Sequence, residues 1–289
     1  MKKYFIISST LSVIGFIAGI IIFVYIDIPR ASNLIEEILN FNFTIPTQHN
    51  SNLVFLPSGD GESYTYEETY TLSRGSLDID LNVANVEIIE TTAADLKLTI
   101  TSSAPENFSV YATKNNLEIV EENPICIGFC FDSDTNSTVT LEVPVDYNLQ
   151  NIDLNTNIGS VDMKNVALTN LDIESVMGNV EVSNTDTANI NVEHVNGNIT
   201  LSDLTFNSLD VETINSSISF TNLDGISLDT NIVNGSMNFK NIYVPSIEID
   251  KVNGQLTLIN DDKTFEIKQL KTSPLRNDDL IDANVKSYK

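Results

Sequence analysis

The chain has 289 residues, with 40 Asp and Glu against 15 Lys and Arg, and a formal net charge of -25. An acidic excess of this size argues against nucleic acid and anionic lipid as partners of the folded region. Trp is absent, and His and Cys occur twice each, so imidazole or thiol chemistry has little material to work with.

The first predicted element is a membrane span. Tyr4 to Ile26 carries no charged side chain and is long enough to cross a hydrocarbon core of about 30 Å. It exceeds a signal-peptide core, and DIPRAS follows it rather than a small-residue cleavage site. Residues 1–26 therefore read as a retained signal-anchor, a single transmembrane helix. Lys2 and Lys3 precede the span, which places the N-terminus in the cytoplasm and everything after Ile26 outside the cell. The expected localisation is the cell membrane, single-pass, with an extracellular C-terminal domain. Residues 27–62 read as a stalk or linker, with SNLIEEILNF as a short amphipathic helix.

Residues 63–151 carry strand signals without a strict period. Tyr64, Tyr66 and Tyr70 alternate, and LKLTIT, FSVYAT, NLEIVEE and VTLEVP follow. This region is expected to form irregular β coils or a capping sheet. LDIDLNVANVEII from Leu77 already contains the second half of a later repeat, since NVEI at Asn85–Ile88 matches NVEV at Asn179–Val182. Cys126 and Cys130 sit in PICIGFCFDSD. Outside the cell, a local disulfide between them is the expected state. A metal or redox pair is the alternative, and it lacks the second Cys pair that zinc-ribbon sites use.

From Ile152 to Phe265 the chain repeats every 19 residues without insertion. Position one of each block is Ile or Leu. Position eight is Gly159, Gly178, Gly197, Ser216, Gly235 and Gly254. Position fourteen is Asn165, Asn184, Asp203, Asn222, Asn241 and Asn260. Apolar residues at positions one and three, six, then ten and twelve give strand periodicity. Gly at one corner and Asn or Asp at another suit backbone conformations that other residues avoid. The fold class predicted is all-β, a parallel β-solenoid of about 19 residues per coil, preceded by the N-terminal transmembrane helix. Leucine-rich repeats are the rival reading, but the return segment IYVPS at Ile242–Ser246 is too short and too β-branched for them. Residues 266–289 read as a C-terminal cap or tail that closes the end of the stack.

Position two reads Asp153, Asp172, Asn191, Asp210, Asp229, Glu248, and position four reads Asn155, Glu174, Glu193, Glu212, Asn231, Asp250. Both positions face outward if one and three face inward. Asp172, Glu174, Glu193, Asp210 and Glu212 are thus candidates for one acidic face. Three readings stay open: a solvated face, a face that takes Ca²⁺ or Mg²⁺, and a glycosidase-like carboxylate pair. Uniform rows do not single out an acid and a base, so no catalytic or cofactor-binding residue is assigned. His49 falls in the stalk, and His194 reads as an exposed face residue. No Ser/His/Asp constellation, phosphate loop or zinc motif is present.

The recurring V-N-G-x-[IVL]-x-[LF] unit, preceded by VTLEVPVDYNLQNIDL, resembles the putative-adhesin family over roughly residues 63–265. These are bacterial and archaeal surface domains of unknown function. The resemblance implies a β-solenoid and no established catalytic residue. The expected function is then a membrane-tethered extracellular, non-enzymatic adhesin-like or envelope-associated protein. Its partner would be an envelope protein or surface ligand, with no nucleic acid. A self-assembling bactofilin-like scaffold and a carbohydrate-active β-helix are the alternatives.

Overall fold

The computed structural model describes residues 53–56, 63–71, 75–122, 137–147 and 149–289. The N-terminal group of strands is β1 (Leu53–Phe55), β2 (Tyr64–Tyr70), β3 (Gly75–Thr91), β4 (Leu96–Ser102), β5 (Phe108–Ala112), β6 (Asn116–Glu121) and β7 (Ser137–Pro144). The repeats supply β8 (Leu149–Ile158), β9 (Val161–Lys164), β10 (Leu168–Met177), β11 (Val180–Asp186), β12 (Asn189–Asn234), β13 (Met237–Tyr243), β14 (Ser246–Asn253) and β15 (Leu256–Ile259). Four short strands follow: β16 (Glu266–Ile267), β17 (Gln269–Ser273), β18 (Leu280–Asp282) and β19 (Asn284–Val285).

The 19-residue period is a pairing register. Leu171 lies between Ile152 and Ile190, and Ile173 between Leu154 and Val192, all in parallel. Val180 lies between Val161 and Ile199 on a second parallel ladder. Each repeat thus stacks a residue on its own equivalent, so one apolar position in the sequence becomes a continuous apolar column.

Positions one, three and five point inward along the first strand: Ile152, Leu154 and Thr156 are all buried. Positions ten and twelve do so along the second, as with Val161 and Met163. Position fourteen then takes a left-handed conformation, with φ of 51° to 61° at Asn165, Asn184, Asp203, Asn222 and Asn241. One left-handed residue reverses the side-chain alternation, so fifteen and seventeen face inward next, as Leu204 and Phe206 do. Asn and Asp tolerate this conformation because a short polar side chain can bond locally. Asn222 Nδ2 donates to Asp203 Oδ1 at 2.8 Å, and Asn241 Nδ2 to Asn222 Oδ1 at 3.2 Å. Asn260 departs from the column. Its side chain is buried and closes on the backbone of Ile242, accepting from the N–H at 2.8 Å and donating to the carbonyl at 2.9 Å.

The core is one hydrophobic cluster running from Leu56 to Leu270. Phe220 and Phe239, one repeat apart, stack with ring centroids 4.6 Å apart. Gly225 leaves room for Phe206, whose ring would lie 2.3 Å from a Cβ there.

The predicted solenoid behind a transmembrane helix needs correction. Among the described residues, seventeen strands belong to one mixed sheet that closes around the core and carries outer strands, rather than forming an open solenoid of uniform coils. The cause is an excursion between two neighbours in the ladder. β3 pairs in parallel with both β8 and β9, and the chain between them adds β4 antiparallel to β2 and β7, and β5 antiparallel to β1 and β6. β1 falls within the stretch expected to be stalk.

The expected membrane anchor is also withdrawn, together with the cell-membrane localisation, the cytoplasmic N-terminus and the membrane partner that depended on it. Among the described residues no helix is long and apolar enough to cross a membrane, and a 3₁₀ turn at Pro105–Asn107 is the only helical stretch. That expectation rested on the sequence alone: an uncharged apolar run, no cleavage site after it, and Lys2 and Lys3 before it. Residues 1–26, His49, and Cys126 and Cys130 lie outside the described residues.

Candidate acidic face

Two outward positions alternate with the buried ones on the first strand of each repeat, and the parallel register stacks them into columns. Along position two, Asp78 lies between Glu118 and Asp153. Asp172 lies between Asp153 and Asn191, and Glu248 between Asp229 and Lys271. Along position four, Asn155 lies between Asp80 and Glu174, and Glu174 pairs onward with Glu193. Asp210 and Glu212 continue both columns one repeat further within β12. Neighbours in a column are about 4.8 Å apart along the sheet. The register therefore brings Asp172, Glu174, Glu193, Asp210 and Glu212 together on one face.

The electrostatics record the crowding. Burial, then Asp78, Asp153 and Glu118, push the Asp80 carboxyl up to about 6. Burial and Asp153 raise Asp78, and burial and Asp78 raise Glu118. Asp153 is raised by burial and Asp172. Glu212 is raised by burial, then by Asp210, Glu193 and Asp229. Each shift is the signature of like charges sharing a partly dry surface.

Asparagines set into the columns offset part of this. Asn191 Nδ2 donates to Asp172 Oδ1 at 2.9 Å, Asn231 Nδ2 to Glu212 Oε1 at 3.2 Å, and Asn155 Nδ2 to Asp153 Oδ1 at 3.3 Å. Lys271 ends the position-two column with an ion pair to Glu248.

Asp78, Asp80 and Glu118 were missed as members of this face. The signal for the first two was legible, because LDID at Leu77–Asp80 has the position one-to-four pattern of the later blocks. Glu118 was not legible, since only the pairing of β6 with β3 brings it there. Among the described residues no group of three or more His, Cys, Asp or Glu is arranged to hold a metal ion.

His194 was expected on the surface, and the structure corrects this: it is fully buried. It occupies position five, an inward position shortly before the Gly corner, in a column with Thr156, Ser175, Thr213, Ile232 and Lys251. Thr or Ser at that position in three other repeats hid its inward direction. Its Nδ1 lies 3.1 Å from the Ser175 carbonyl oxygen, and Nε2 has no hydrogen-bond partner. Burial holds the imidazole down to about 4, against the pull of the backbone at Ser175, Gly178 and Asn196. Its folded value thus lies below the unfolded one. As pH falls below about 6.5, the unfolded chain takes up a proton that the folded chain refuses until near pH 4. His194→Thr, copying Thr156 and Thr213, should remove about 2–3 kcal/mol of the stability loss between pH 7 and 4.5. Urea unfolding of both proteins at the two pH values reads this difference. Equal pH dependence would contradict the buried neutral imidazole.

Several solved structures are similar to this chain at a low level. A putative adhesin from Parabacteroides distasonis ATCC 8503 is 12% identical, covering 80% of this chain and 98% of its own, with a TM-score of 0.47. A putative lipid binding protein from the same organism is 13% identical, covering 80% and 97%, with a TM-score of 0.48. A putative cell adhesion protein from Clostridium sporogenes ATCC 15579 is 13% identical, covering 66% and 100%, with a TM-score of 0.43. Similarity at this level transfers neither ligand nor activity, and makes the adhesin resemblance a distant, partial one. No curated protein matches the chain. The Toastrack DUF4097 family model matches residues 75–273, from the start of β3 to the end of β17, which takes in the whole acidic face and well over half of the chain. On that match, the chain belongs to the Toastrack DUF4097 family.

Proposed function

We propose that this chain is a non-enzymatic, adhesin-like binding protein whose acidic columns are the contact face for a basic segment of another protein. The observation that carries this reading is the parallel register that stacks Asp78 between Glu118 and Asp153, Asp153 beside Asp172, and Glu174 beside Glu193; burial first, and neighbouring carboxylates second, raise Asp78, Asp80, Glu118, Asp153 and Glu212. A surface that holds like charges this close gains when a polycation docks and relieves them. An extended partner suits the arrangement better than a single ion, because the carboxylates form rows rather than a cage. The face spans the irregular region 63–151 and the repeats 152–265, so in this proposal the two regions serve as one binding unit, with 266–289 as its cap.

A lysine-rich peptide is the probe. Binding should weaken steeply as NaCl rises. Replacing Asp78, Asp153 and Asp210 by Asn and Glu212 by Gln should weaken it about tenfold or more. The comparison is Glu181→Gln with Asp186→Asn, exposed acids on β11. An equal loss per charge removed in both variants would mean that net charge alone attracts the peptide, against a defined face. Displacement of the peptide by millimolar Ca²⁺, where NaCl of equal ionic strength leaves it bound, would replace the basic segment with a divalent cation.

A further inference from the structure

Position seven of the repeat changes character along the chain. In the later repeats it is Asn196, Asn215, Asn234 and Asn253, and amides bond up the column. Asn234 Nδ2 donates to Asn215 Oδ1 at 3.1 Å, and Asn253 Nδ2 to Asn234 Oδ1 at 2.9 Å. In the earlier rungs the same position is apolar. Val83 pairs with Ile158, Ile158 with Met177, and Met177 then meets Asn196. These apolar side chains form a short ridge just before the corner that joins the two strands of a repeat. Val83 and Ile158 are half-buried, and Met177 is 36% exposed.

The ridge borders the crowded part of the acidic face. Asp78 and Asp80 stand at positions two and four of the rung that carries Val83. Asp153 stands at position two of the rung with Ile158, and Asp172 and Glu174 at two and four of the rung with Met177. Position seven lies about 10 Å along the strand from position four. A bonded amide column satisfies itself, whereas an apolar column in water gains from being covered. Charge decides what covers it. A chain of -25 with carboxylates beside the ridge repels an acidic partner and attracts a cationic one.

We propose that Val83, Ile158 and Met177 take the apolar side chains of the basic segment that the acidic columns hold. The inference rests on the acidic-face reading and adds to it the class of partner. That partner is a segment in which large apolar side chains lie among the Lys and Arg, rather than a purely cationic one. Its ammonium or guanidinium groups meet Asp78, Asp153, Asp172 and Glu174 while its apolar side chains cover the ridge. The apolar contact supplies affinity that salt does not screen.

Titration calorimetry of the intact chain with two peptides of equal charge tests it, one of Lys and Ser, the other with Leu in place of Ser. The parent should bind the Leu-containing peptide about tenfold more tightly, and that preference should persist as NaCl rises. Ile158→Asn combined with Met177→Asn should bring its affinity down to that of the Lys–Ser peptide and leave the latter unchanged. The melting temperature should stay near the parent's, since Asn here extends the amide column that the later repeats already carry. Ile226→Asn, at a site 60% exposed elsewhere in β12, should leave the preference intact. Equal affinity of the two peptides for the parent, or a preference that survives the double variant, would overturn the ridge and leave the acidic face standing. A Leu–Ser peptide without Lys that binds as tightly would overturn it too, because the acidic columns would then play no part. Binding of neither Lys peptide at low salt would remove the acidic face and the ridge with it.

Discussion

Asp279→Ala is expected to lower the unfolding free energy by about 3–5 kcal/mol, the usual cost of removing one partner of a buried ion pair. The Lys251 and Asp279 side chains are 0% and 1% exposed. The carboxylate also accepts from the Leu256 N–H at 2.9 Å and the Arg276 N–H at 2.7 Å. Lys251 keeps only the Gly254 carbonyl, at 3.3 Å, once Asp279 is gone. The loss therefore strands an ammonium and two N–H groups and releases the last turn from the final repeat. Lys251→Met combined with Asp279→Leu should cost less than the single change, because no unpaired charge remains. Burial raises the Asp279 carboxyl, but hydrogen bonds from Lys251, Arg276 and Leu256 outweigh it and hold the group below the ordinary carboxylate range. Its stabilising effect is thus present above that range and is lost as pH falls through its lowered pKa. Urea unfolding at neutral pH measures the effect. A cost under about 1 kcal/mol would mean the pair is solvated rather than buried.

Gly178→Ala should be comparably damaging, at about 3 kcal/mol or more. The position has φ +147°, and a Cβ there would lie 1.9 Å from the Gly159 carbonyl oxygen. That oxygen belongs to the backbone of the preceding repeat and cannot swing aside as a side chain would, so the inter-repeat spacing must open. Ser216 shows how the chain manages the one repeat without glycine at this corner. It is absent from the positive-φ residues, and its buried hydroxyl bonds to Thr213. A Gly178→Ala protein that melts with the parent would place the corner further from its neighbour than described.

The parts of the fold legible in the sequence are those written once per repeat. The period gave the parallel register, and the Asn column gave the left-handed corner. Position five was misread because alternation was followed through apolar residues only, while Thr156, Ser175 and His194 are polar and buried. The antiparallel strands were legible as strands but not as neighbours, since no period marks which of β2, β4 and β7 lie together. The acidic face was half legible for the same reason. Its repeat members follow from spacing, whereas Glu118 joins it through a contact between β3 and β6 that only the folded chain defines.

The stacking of carboxylates across the β3 pairings with β6 and β8 is the claim on which the proposed binding face rests, and Asp80 reports on it most directly. Carbon-13 NMR of the side-chain carboxyls gives its titration midpoint. The parent should titrate near pH 6, with Asp80 protonated well before exposed carboxylates as pH falls. Asp78→Asn and Asp153→Asn together should bring that midpoint partway back toward the ordinary aspartate value near 3.8. A parent midpoint already at the ordinary value, unchanged in the double variant, would contradict the stacked acidic face.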